Sequence, residues 1–161
     1  MDEIKQQLDL LSKYNVECVI IGGVAAVLHG SSTPTFDHDV CYARDAANLN
    51  RLAEALTTVH GRLRGAPAGL PFTTDAETLR RGLNFTFDTD VGPLDLLGEI
   101  AGVGGFPDAC TDAVVYKLFG HSFHVHAIGK LIAAKRASER KKDLNIMPEL
   151  EAIREHLEGG T

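Results

Sequence analysis

The sequence predicts an α+β sandwich, a mixed β-sheet flanked by helices. Short β-branched runs alternate with stretches of helical spacing along the chain. Two of these runs, "LNFTFDT" and "PLDLLGEI", are separated only by "DVG", so a hairpin interrupts the alternation in mid-chain. A length of 161 residues, 44% of them hydrophobic and 24% charged, suits one globular domain over 1–161 with a real core. The core is expected over about 16–100, with further strands and helices over about 106–158.

The opening segment, Asp2 to Tyr14, places Ile4, Leu8 and Leu11 at helical spacing. Val16 to Ile21 is a buried strand, bounded by Asn15 and Gly22. Gly23 to His29 is a short helix with Gly30 as its stop, and "SSTPT" is a loop. A second strand over Asp39 to Tyr42 makes a βαβ-like unit with the first. Asp45 to Thr58 forms an amphipathic helix with Leu49, Leu52, Ala53 and Leu56 on one face. "GRLRGAPAGLP" is a flexible loop. Thr74 to Glu77 is a capping-box pattern opening a short helix that Gly82 ends. After the hairpin and a short helix near Pro107, "AVVYKLF" and "FHVHAI" are strands around Gly120. Helices over Lys130 to Glu139 and Pro148 to Leu157 close the chain.

Composition narrows the function. The opening segment is polar and the apolar run from Cys18 to Leu28 is too short for a membrane span, so no membrane partner is expected. Cys18, Cys41 and Cys110 are widely spaced with no CxxC pair, which fits free thiols in a reducing cytoplasm. The formal charge of −6 hides a segregation: residues 130–142 carry six bases against Glu139, a local +5, leaving −11 on the rest. That argues against a broad nucleic-acid surface and for a local anion site.

The chemistry concentrates in "IGGVAAVLHGSSTPTFDHDV", residues 21–40. Gly22-Gly23 follows a buried strand and opens a helix, where free backbone N–H groups favour phosphate. Asp37 and Asp39, two apart on a strand, share a face. Paired carboxylates repel unless a cation lies between them, and magnesium takes one or two carboxylates with substrate phosphates. Asp95 is a lone acid in the apolar strand "PLDLLG", either hydrogen-bonded structurally or a third carboxylate of a two-metal cluster. On the helix "KLIAAKRASER", Lys135 falls at about 40° from Leu131, on the inward stripe, and calls for an anionic partner. Asp143 either caps the next turn or orients Lys135 or Lys142. His124 and His126 share a strand face that reads as a polar sheet face rather than a metal site, and His29 and His38 are assigned no role.

Gly-Gly opening a helix, Asp-x-Asp on the next strand and a lone Asp on a later one resemble the DNA polymerase β-like nucleotidyltransferase superfamily. With "LIAAKRASERKKDL", the sequence looks like the small bacterial branch that includes the abortive-infection (AbiEii-like) and toxin–antitoxin nucleotidyltransferases. The resemblance runs from about Val16 to Leu157. It implies transfer of an NMP from an NTP to an acceptor hydroxyl on a tRNA, a protein or a small molecule, and its toxin members imply a cognate antitoxin as partner. Two Mg²⁺ ions, or Mn²⁺, would be held by Asp37, Asp39 and Asp95. Gly22, Gly23 and Lys135 would contact the triphosphate, and the hydroxyls of Ser31 and Ser32 would serve as neutral phosphate donors. The family often has Gly-Ser at the glycine pair and an arginine before the first aspartate, and this chain has neither. A catalytically silent nucleotide-binding or protein-interaction module of the same fold is the alternative.

Overall fold

The computed structural model describes residues 2–35, 38–66 and 74–159. Helix α1 (Asp2–Lys13) leads to strand β1 (Cys18–Ile21), which runs directly into α2 (Gly22–Leu28). Then come β2 (His38–Tyr42), α3 (Ala46–Thr58), β3 (Arg62–Leu63), α4 (Ala76–Arg81) and the hairpin strands β4 (Asn84–Asp88) and β5 (Leu94–Leu97). A two-stranded ladder of β6 (Glu99–Ile100) and β7 (Gly104–Gly105) precedes α5 (Phe106–Cys110). The chain closes with β8 (Val114–Leu118), β9 (His121–Val125), α6 (Ile128–Ser138), α7 (Lys141–Asn145) and α8 (Met147–Glu158).

Seven strands form one mixed sheet in the order β3-β4-β5-β2-β1-β9-β8. β2 lies parallel to β5, and β1 parallel to β9; the other neighbours are antiparallel. The expected hairpin is β4–β5. The βαβ-like reading is corrected, because β1 and β2 are antiparallel, with Ile21 opposite Asp39. Helix α2 covers only about 10 Å, and the loop after it returns the chain beside the end of β1 rather than its start. This return brings the glycine pair next to the second strand's carboxylate.

Period-two alternation divides the sheet into two chemically distinct faces. One presents Ile20, Val40, Tyr42, Leu94 and Leu96, all fully buried beneath α1, α3 and their neighbours. The other presents Val19, Ile21 and Cys41, packed with Ile100 and Ala109, and continues into Asp39 and Asp95. Each buried leucine is worth about 1.5–3 kcal/mol, so the first face holds the strands while the second can leave polar groups uncovered. Asn48, fully buried, ties β1 to the end of β2: its Oδ1 accepts from Glu17 N–H (2.7 Å) and its Nδ2 donates to Ala43 O (2.7 Å).

Two further expectations need correction. The cap of α4 is Asp75, whose carboxylate accepts from Thr78 N–H at 2.8 Å, one residue beyond the expected Thr74. His126 lies past the end of β9 and is fully buried, not on a polar sheet face. Strands β3, β6 and β7, two residues each, are too short to leave a periodic signal. Part of the "GRLRGAPAGLP" loop lies outside the described residues. All three cysteines are free, and burial pushes the Cys18 and Cys41 thiols up to about 12. Among the described residues, no helix is long and apolar enough to cross a membrane.

Candidate active site

The parallel pairing of β2 with β5 sets Asp39 directly against Asp95. Neighbouring strands lie about 4.8 Å apart, so two carboxylates project side by side from one face. Asp95 Oδ1 is buried without a hydrogen-bond partner among the described residues. An orphaned carboxylate oxygen is costly unless a cation or donor meets it. Asp37, the third expected carboxylate, lies outside the described residues. Among those that are described, no three His, Cys, Asp or Glu side chains gather as a metal site.

Gly22 stands opposite this pair with a left-handed φ of +66°. A β-carbon there would overlap Asp39 Oδ2, so the position needs glycine twice, for its backbone and for the space the carboxylate occupies. At Gly23 a β-carbon would overlap Thr35 Oγ1, which shows how closely the 31–35 loop lies over the glycine pair.

Lys135 approaches from α6. Its side chain is 21% exposed, and its ammonium donates to Asp143 Oδ1 at 3.1 Å. Asp143 also accepts from Ser138 Oγ (2.7 Å) and Arg140 Nε (2.6 Å) at Oδ2. Of the two sequence readings for Asp143, the structure shows the one that holds Lys135. Burial of Asp143 works against ionisation, but the bonds from Ser138, Lys135 and Arg140 outweigh it and bring the carboxyl down to about 2. Because its folded value is depressed, the stability it contributes is present above about pH 4 and lost as pH falls through about 2. We expect wild-type protein to lose roughly 2 kcal/mol more than Asp143→Asn between pH 4 and 2, measured by denaturant unfolding across that range.

These groups share a cleft of about 250 Å³, lined by Gly23, Ser31, Thr35, Asp39, Asp95, Lys135, Arg140, Lys142 and Asp143 among others. An adjoining recess of about 170 Å³ adds Gly22 and His126 and shares Asp39 and Lys135. Of the expected site residues, the structure therefore brings Gly22, Gly23, Ser31, Asp39, Asp95 and Lys135 together. Ser32 does not line this cleft. Its hydroxyl and that of Ser31 donate to Glu149, at 2.8 and 2.5 Å, instead of standing open to a phosphate. Glu149 carried no sequence signal, since it sits in an ordinary acidic first turn of α8.

His38, between the two aspartates in sequence, points to the opposite face. Gln7 Nε2 donates to the carbonyls of Val91 and Pro93 (3.0 and 2.9 Å), so Gln7 Oε1 accepts from His38 Nδ1–H at 2.6 Å. The pair ties α1 to β2 and to the hairpin turn. Burial lowers the His38 pKa to about 4 against the opposing pull of Asp95, so the ring is neutral at pH 7.

No known protein-family model matches the sequence, and no curated protein matches it. Solved structures do. The chain is similar to the lincosamide antibiotic adenylyltransferase LnuA, solved with lincomycin bound, with a TM-score of 0.62 over 94% of this chain and 96% of that one at 15% identity. It is also similar to the antibiotic-resistance factor ANT(2'')-Ia, with a TM-score of 0.57 over 99% and 94% at 14% identity. The fold is that of the polymerase β-like nucleotidyltransferases. In this fold Asp39 and Asp95 occupy neighbouring strands of the central sheet, and Lys135 of α6 lines the same cleft.

Proposed function

We propose that the chain is a metal-dependent nucleotidyltransferase that moves an NMP from an NTP to an acceptor hydroxyl and releases pyrophosphate. The observation that carries this reading is the register pairing of Asp39 with Asp95, one oxygen of which lacks a partner among the described residues, in a cleft that also holds Lys135. Asp39 and Asp95 fit a divalent cation such as magnesium, and the resemblance adds Asp37. Bound there, the cation would supply positive charge to the reacting phosphate and lower the pKa of the acceptor hydroxyl. The charges of the described lining residues support the need for it: Asp39, Asp95 and Asp143 balance Lys135, Arg140 and Lys142, so these residues carry no excess positive charge for a triphosphate.

The protein's residues then have separate tasks. Gly22 and Gly23 keep side chains away from the backbone, so phosphates can approach closely. Lys135, steadied by Asp143, meets charge on the leaving pyrophosphate. Asp95 and Asp39 face the acceptor hydroxyl. We favour a small hydroxylated acceptor, because the −11 outside residues 130–142 repels a long nucleic acid and one structural neighbour is an antibiotic adenylyltransferase with lincomycin bound. A toxin role with a cognate antitoxin rests on the sequence resemblance. Growth arrest on expression, relieved by Asp39→Ala, is its test.

The silent-module reading has one observation in its favour, the commitment of the Ser31 and Ser32 hydroxyls to Glu149. Calorimetric titration with each NTP, in magnesium and in EDTA, tests both. Magnesium-dependent binding that Asp39→Asn abolishes, followed by transfer to a panel of hydroxylated acceptors, supports the enzyme. Binding with no transfer to any acceptor supports a nucleotide-binding module, and no binding by folded protein rejects the enzyme and leaves the protein-interaction module.

A further inference from the structure

We infer that Glu149 is a positioning residue for the phosphate side of the cleft, pinning the Ser31–Thr33 loop from the distant helix α8. This inference rests on the nucleotidyltransferase reading. Four donors converge on one carboxylate: Ser31 Oγ at 2.5 Å and Thr33 Oγ1 at 3.0 Å on Oε1, Ser32 N–H at 3.2 Å and Ser32 Oγ at 2.8 Å on Oε2. An ionised acceptor makes each of these bonds stronger than a neutral one would. The donors in turn hold the Glu149 carboxyl down at about 2, so it is charged throughout the working range.

Docking of α8 does not require this arrangement, since the adjacent Leu150 is already fully buried in the core. What Glu149 adds is the shape of the loop. Ser31 Oγ accepts from Thr33 N–H at 3.1 Å, closing the turn around the carboxylate. Two residues on, Thr35 lies against Gly23, and Ser31, Thr33 and Thr35 all line the cleft. The clasp on one side and the glycine contact on the other hold the cleft wall that leads into β2 and Asp39. Without the clasp, nucleotide binding must order the wall itself, and affinity falls by that entropic cost.

The test compares wild type, Glu149→Gln and Glu149→Ala by amide hydrogen exchange over residues 31–35 and by NTP titration in magnesium. We expect faster exchange in the loop and an NTP Kd weakened about tenfold, with kcat at saturating NTP changed less than about twofold. A purely structural role would lower the unfolding midpoint and leave the Kd of the folded protein unmoved. If Glu149→Ala does not fold, the Ser32→Ala/Thr33→Val double variant, which keeps Glu149, should weaken the Kd about threefold. An unchanged Kd in folded variants overturns the inference alone. Failure of wild type to bind any NTP removes the nucleotidyltransferase reading and this inference with it.

Discussion

Asp39→Asn is expected to lower nucleotidyl transfer on the order of 10³-fold while leaving the fold intact. The substitution keeps the shape of the side chain and removes its charge, so the cation proposed to bind there would lose one of the two carboxylates that β2 and β5 pair. Stability should move the other way. With the charge gone, Asp95 no longer faces a like charge across the strand pair, and the unfolding midpoint should equal or exceed that of wild type. Pyrophosphate release with an acceptor panel, alongside thermal unfolding, reads both effects. Retention of activity within tenfold would exclude Asp39 from the reacting centre. A parallel fall in stability would mean that the carboxylate serves the fold instead.

Gly22→Ala should produce the second large effect, through backbone and space together. An alanine at φ +66° costs about 1–2 kcal/mol. The added methyl also falls where Asp39 Oδ2 sits. The carboxylate can rotate away, which limits the loss of stability but moves it from its place beside Asp95. A displacement of about 1 Å near the reacting atoms costs about 10²-fold in rate, so activity should fall far more than stability. Urea unfolding and single-turnover transfer separate the two quantities. A rate that falls only in proportion to the folded fraction would refute the displacement.

Much of the site was legible because its signals are local. Gly22-Gly23 and Asp39 stand within one stretch of twenty residues, and strand alternation fixes which face Asp39 takes. Lys135 was legible from helical phase, and the structure supplies the anion its position called for in Asp143. Glu149 was not legible, because it lies 116 to 118 positions from the loop it holds and carries no pattern of its own. The same distance hid the fate of Ser31 and Ser32. Their hydroxyls were readable as donors, but which anion they meet depends on where α8 docks. His126 was misread because alternation gives a residue's face but not what covers it: its N–H still bonds Ile20 O on β1, and its ring is fully buried in the recess beside Gly22 and Asp39.

The sequence by itself determined the α+β class, the β4–β5 hairpin and the clustering of chemistry on the first two strands. These follow from periodicity, turn residues and short spacings, which act between near neighbours. Only the tertiary structure decided that β1 and β2 run antiparallel, that Asp39 pairs with Asp95 rather than with another register, and that Glu149 fills the loop's donors. Those outcomes depend on strand order and helix docking, which burial of the whole core selects and no local run of residues encodes.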